Sequence, residues 1–176
     1  MMVLLQDAVA GALAPLRGLP LWAANRAATL ISLQFGDRRP ARAGRPREVG
    51  AYALHLQCPW RLSGTTGIIT GSADVFLPRD DDVPESEGAV LRIGSMLVDV
   101  ALERWVAAHE TKPLQVQAVR VDRCGGFTLV LEQDFALEVF PDASSPPHVI
   151  TEQWRLLPPE ADADPRHFVM LNSGVQ

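Results

Sequence analysis

The strongest constraint on this chain is the segment Ala51 to Leu62, where Tyr52, Leu54, Leu56, Cys58, Trp60 and Leu62 alternate with His55, Gln57 and Arg61. Successive side chains on a strand point to opposite faces, so the pattern specifies a long strand with one apolar and one polar side. Such a strand has to bury its apolar face against other elements. Pro59 has no N–H to give to a ladder, which assigns that position to an edge or a bulge. Upstream, Leu30-Ile31-Ser32-Leu33-Gln34-Phe35 is a second strand closed by Gly36, with Ile31, Leu33 and Phe35 facing inward.

The second half adds three strands, Leu114 to Asp122, Phe127 to Glu132 and Phe135 to Phe140, separated by Cys124-Gly125-Gly126 and Gln133-Asp134. Turn residues at such short spacing predict an antiparallel meander. Shorter strands are expected at Gly67 to Ser72, Thr151 to Leu157 and His167 to Leu171. Leu4, Leu5, Ala8, Val9, Ala12 and Leu13 fall at helical spacing and predict an N-terminal helix ending near Pro15 and Gly18. A central helix is predicted from an N-cap at Ser95 to about His109, with Leu97, Ala101, Trp105 and Ala108 on one face. Residues 19–28 carry mixed signals, since Pro20 and Trp22 suit extended backbone while Ala23 to Ala28 favour helix. Strands outnumber helices too heavily for a doubly wound fold, so the expected class is α+β, mainly antiparallel sheet with an N-terminal and one central helix. At 176 residues, 1–176 is expected to be a single globular domain.

Two segments are too charged to build a core. Asp37 to Arg47 carries Arg38, Arg39, Arg42, Arg45 and Arg47 among Pro40, Gly44 and Pro46, and predicts a hairpin loop. Pro78 to Gly88 clusters Asp80, Asp81, Asp82, Glu85 and Glu87, which repel one another and predict an exposed acidic loop. The formal net charge of −5 gives no overall attraction to phosphate backbones, so no nucleic-acid partner is expected. The apolar start of the chain has no basic residue before it and is interrupted by Gln6 and Asp7, which favours a first helix over an export signal. Cys58 and Cys124 form no CxxC pair, and a reduced, cytoplasmic setting without membrane contact is expected.

The polar side of the long strand is the most specific chemical lead. If the first two long strands pair, His55, Gln57 and Arg61 line up with Ser32 and Gln34, and Asp74 comes near. That row offers donors, acceptors and a titratable imidazole on a rigid sheet, and it also matches the ordinary solvated face of an antiparallel sheet. His55 and Cys58 point to opposite faces and cannot form a nucleophile–base pair, and Cys124 has no histidine nearby in sequence. The four histidines show no paired ligand spacing and no nucleotide-binding glycine loop occurs, so neither a metal nor a cofactor is expected. Asp99 and Glu103 lie one helical turn apart, a spacing shared by acid/base pairs and by any solvated helix face.

Gly18-Leu19-Pro20-Leu21-Trp22, Leu33-Gln34-Phe35-Gly36, Ala53 to Leu62 and Glu152-Gln153-Trp154-Arg155-Leu156 together resemble an uncharacterised bacterial domain family. The resemblance covers most of the chain and implies no assigned reaction. Small proteins of this style are similar to immunity proteins of toxin systems, which implies a binding role. Two functions are therefore carried forward. The first is a non-enzymatic binding protein, immunity-like, that meets a protein partner through the face around Gln34, His55, Gln57 and Arg61 or through its charged loops. The second is a small enzyme or ligand-binding module with a polar pocket at the sheet/helix junction, where His55, Arg61, Asp74, Glu152 and Arg155 converge.

Overall fold

The computed structural model describes residues 2–41, 48–78, 96–144, 146, 148–159 and 167–176. Its elements in chain order are α1 (Met2–Leu13), β1 (Pro20–Ala27), β2 (Leu30–Phe35), β3 (Arg39–Pro40), β4 (Glu48–Val49), β5 (Tyr52–Leu56), β6 (Trp60–Gly64) and β7 (Gly67–Gly71). Then follow α2 (Leu97–Ala108), β8 (Leu114–Val121), β9 (Phe127–Leu131), β10 (Ala136–Val139), β11 (Glu152–Leu157), β12 (Phe168–Leu171) and β13 (Gly174–Val175). The class is the one expected from sequence: mostly antiparallel sheet, with an N-terminal and one central helix.

Residues 19–28, ambiguous in sequence, form strand β1, which turns at Ala28 and Thr29 into β2. The alanines of β1 prefer helix in isolation, but the hairpin partner settles the outcome, because strand preference is mostly a matter of what the strand packs against. The predicted meander is present, with β8 to β9 and β9 to β10 both antiparallel. Its first turn is built by Asp122, whose Oδ1 accepts from the backbone N–H groups of Cys124 (2.7 Å) and Gly126 (2.9 Å). Gly125 between them sits at φ +82°, a conformation that favours glycine.

The long strand expected at Ala51 to Leu62 is two strands, and the break falls where proline predicts it. Gln57 and Cys58 both donate their N–H groups to the single carbonyl of Gln153, at 2.9 and 3.0 Å. Pro59 donates nothing, and its carbonyl accepts instead from Phe140, at 2.8 Å. Within three residues the chain thus leaves the partners of β5, which are β2 and β11, for those of β6, which are β10 and β7.

That exchange sets the shape of the sheet. Among the described residues the order is β13-β12-β11-β5-β2-β1-β8-β9-β10-β6-β7, with β5 and β6 six places apart. Six steps across a flat sheet would be about 29 Å, at roughly 4.8 Å per step. The link from Leu56 to Trp60 reaches at most about 14 Å, at roughly 3.5 Å per residue. The ribbon therefore curls until β5 and β6 meet end to end, enclosing one core.

Leu54, Leu56, Trp60 and Leu62 line that core from the two halves of the bent strand, with Ile31, Leu33 and Phe35 beside them. Helix α1 lies against β8 and inserts Val9 and Leu13, followed by Leu16, all fully buried. Burying side chains of this size contributes about 1.5–3 kcal/mol each, which holds this short helix in place. Trp154 is completely buried, packs edge-on to Phe127 and stacked on Phe168, and donates its indole N–H to the Gly125 carbonyl at 2.9 Å.

Helix α2 differs from its sequence reading in which face it buries. Val98, Leu102 and Trp105 point into the core, whereas Leu97 is 39% exposed and Ala108 is exposed. The proposed N-cap, Ser95, lies outside the described residues. The cap observed is Met96, whose N–H is accepted by Asp99 Oδ2 at 3.1 Å. The arginine-rich segment is partly regular, because β3 and β4 pair at its base. Arg42, Arg45 and Arg47 lie outside the described residues, as do Asp80, Asp81, Asp82, Glu85 and Glu87.

Candidate functional site

The curled ribbon sorts the seven side chains singled out from sequence into separate places. On the outer face of one half, register aligns Ser32 of β2, His55 of β5 and Arg155 of β11 across three neighbouring strands. Arg155 is held by Glu152 through two hydrogen bonds, Nε to Oε1 at 3.0 Å and Nη2 to Oε2. Its Nη1 lies 3.1 Å from Nδ1 of His167, at the start of β12. A guanidinium can only donate, so His167 Nδ1 is the acceptor in this contact. His55 is half-buried beside this group, and its pKa is lowered first by burial and then by the Arg155 charge, with Glu152 opposing and His167 reinforcing. The backbone of Gln57 bonds to Gln153 while its side chain is exposed at the end of the same row.

The other predicted residues are engaged elsewhere. Gln34 is only 7% exposed and is satisfied internally, its amide N donating to Ser32 Oγ at 2.9 Å and its Oε1 accepting from Gly50 N at 2.8 Å. It lies on the same face of β2 as Ser32 but is covered and does not present itself to a partner. Arg61, beyond the Pro59 corner, makes a two-pronged bridge to Glu138 of β10 at 2.5 and 2.8 Å and lies over the Phe140 ring. The Arg61 guanidinium keeps the Glu138 carboxyl below the usual carboxylate range. Asp74 accepts from the Thr70 hydroxyl at 2.8 Å in the turn after β7. The five-residue convergence of His55, Arg61, Asp74, Glu152 and Arg155 is not formed. Only His55, Glu152 and Arg155 come together, and His167 joins them.

Among the described residues, the most buried ion pair is one that no sequence motif marks. Arg26 of β1 bonds Asp99 of α2 through Nε (2.7 Å) and Nη2 (2.6 Å), and Nη1 donates to the Ala28 carbonyl at 2.6 Å. The two side chains are 1% and 11% exposed. Asp99 is therefore a structural anchor and not half of an acid/base pair with Glu103, which is exposed. No local spacing could announce a bond spanning 73 residues; the only signal was a charged residue within an alanine-rich stretch.

Next to this pair, a groove of about 490 Å³ opens between β1 and α2. A concavity does exist at a sheet/helix junction, but Ala23, Asn25, Arg38, Leu102, Val106 and Glu110 line it, and none of the seven predicted residues does.

Cys58 is buried, which pushes its thiol up to about 12, and Cys124 is free and exposed. Among the described residues no three His, Cys, Asp or Glu side chains stand together as a metal site, and no helix is long and apolar enough to cross a membrane. No protein-family model, curated protein or solved structure matches this chain.

Proposed function

We propose that this chain is a non-enzymatic binding protein that meets a protein partner through the outer face formed by β5, β11 and the start of β12. The observation that carries this reading is the group His55, Glu152, Arg155 and His167, together with exposed Gln57, held in register on rigid sheet. Sheet residues locked by neighbours lose little entropy on binding, and a half-exposed arginine between a carboxylate and two imidazoles is the kind of anchor that dominates protein interfaces. Catalysis is less well supported, because Arg61, Glu138, Asp74 and Asp99 are each bonded into the structure and the Cys58 thiol is buried. Free thiols and a net charge of −5 fit a cytoplasmic protein with no nucleic-acid partner. Membership of an uncharacterised bacterial domain family and an immunity-like role belong to the same reading.

A photo-crosslinking residue at Gln57, with a control at exposed Arg104 of α2, tests it in the native host. The expected result is one dominant protein adduct from position 57 and none from position 104. Identical adduct patterns at the two positions, or no adduct at either, would count against it.

A further inference from the structure

Strand β1 has a strand on both sides for only part of its length. It pairs with β2 nearly throughout but with β8 at Pro20 and Leu21 alone, because β8 begins at Leu114. From Ala23 to Ala27 its second edge meets no strand among the described residues. The turn into β2 decides which backbone groups lie on that edge. Ala27 and Leu30 flank a two-residue hairpin loop and bond each other, and in an antiparallel pair such bonded positions alternate with non-bonded ones. Ala27, Asn25 and Ala23 thus turn their backbone groups towards β2, and Ala24 turns its N–H and C=O away from it. Neither of these two Ala24 groups has a partner among the described residues.

The groove between β1 and α2 runs along this edge. Four consecutive strand residues, Ala23 to Arg26, line it, although their side chains alternate between the two faces of the sheet. A groove lined in this way follows the backbone edge of the strand and not one of its faces. The opposite wall is a single face of α2, with Leu102, Glu103, Val106 and Ala107 at helical spacing. An extended peptide that adds a strand to a sheet needs this arrangement, a free edge to bond its backbone and a wall to receive alternate side chains, and the groove of about 490 Å³ has room for a ligand. The charges select the peptide. Arg26 and Asp99 neutralise each other, and Arg38 is met by Glu48 at 3.5 Å and by the Trp22 ring. Glu103 and Glu110 remain, both exposed and without a side-chain partner among the described residues, so the lining favours a basic segment.

We infer that the free edge of β1 is a docking site for an extended basic peptide segment, which bonds Ala24 through its backbone, lays apolar side chains on Leu102, Val106 and Ala107, and carries a lysine or arginine to meet Glu103 or Glu110. This surface is separate from the outer face of β5 and β11 and does not depend on a protein partner existing there.

Residue-resolved amide hydrogen exchange of the full chain, with and without the capped pentapeptide lysine-valine-threonine-valine-lysine, tests the proposal. In the free protein the Ala24 amide should exchange about tenfold or more faster than that of Asn25, which is bonded to β2. Saturating peptide should slow the Ala24 amide by about tenfold and leave Asn25 unchanged. The same peptide with its three central amides N-methylated, and a version with glutamate in place of both lysines, should each bind about tenfold more weakly. Glu103→Gln with Glu110→Gln should weaken the lysine peptide about threefold to tenfold while leaving the melting temperature in place, since both side chains are at the surface. Ala107→Trp should narrow the groove and abolish binding. An Ala24 amide as protected as Asn25 in the free protein, binding with no gain of protection at Ala24, or undiminished affinity of the methylated or glutamate peptide would overturn the inference. So would full affinity in the double glutamine variant, or no binding at about 1 mM lysine peptide.

Discussion

Arg26 and Asp99 show how much of this molecule depends on single side chains that no periodicity announces. Two charges removed from water carry a desolvation penalty of several kcal/mol, which is offset here because the guanidinium is bonded at Nε, Nη1 and Nη2 and the carboxylate also caps α2. Removing one partner leaves the other buried without its counter-charge. Arg26→Ala should lower the free energy of urea unfolding by about 3–5 kcal/mol, and pairing Arg26→Met with Asp99→Leu should recover a good part of that loss. His55 gives a prediction about acid. Its folded pKa lies below the ordinary 6.5, so the unfolded chain takes up a proton first as the pH falls. The His55 contribution is undiminished above pH 6.5 and is lost as the pH drops through the lower, folded value. His55→Gln should flatten the decline in melting temperature between pH 6.5 and that lower value. Cysteine chemistry is equally specific: a thiol reagent should modify Cys124 rapidly in the folded protein and Cys58 only after unfolding, because burial keeps the Cys58 thiol protonated.

The elements themselves were largely legible, and the reasons lie in particular residues. Alternation fixed which side of β2, β5, β6 and β9 faces inward, and glycine or proline marked most of their ends. What alternation does not carry is partnership. Ala51 to Leu62 keeps its period through Pro59, so the inward faces of β5 and β6 were readable while the exchange of partners at the corner was not. Helix α2 shows a related limit, since Leu97 and Ala101 share one apolar stripe and Val98 and Leu102 another, and only packing against β1 and β7 selects the second. Of the five residues expected to converge, the register brings His55, Glu152 and Arg155 together, whereas His167, 12 residues beyond Arg155, had no local signal linking it to them. The turn at Gly125 yields an element-scale prediction. A Cβ there would sit 2.3 Å from the Met170 methyl group, on a residue at φ +82°. Gly125→Ala should therefore cost about 1–3 kcal/mol of unfolding free energy and loosen the indole bond of Trp154, visible as a change in tryptophan fluorescence.

At the scale of the whole molecule, one curled ribbon carries two outer polar faces separated by the Pro59 corner. Each has a half-exposed arginine bonded to a glutamate: Arg155 with Glu152 on one, Arg61 with Glu138 on the other. The two pairs are alike in local chemistry, so exposure and ion pairing alone cannot make one of them a recognition site. The difference is the company each keeps, with His55, His167 and Gln57 gathered only around Arg155. The most direct measurement compares the two arginines in binding to the partner captured at position 57, by calorimetry with purified proteins. Arg155→Ala should weaken the complex about thirtyfold, the effect of losing a central anchor worth about 2 kcal/mol, and Arg61→Ala should leave affinity within about twofold. Equal losses for the two variants, or a loss for Arg61→Ala alone, would contradict the assignment of the binding surface to β5, β11 and the start of β12.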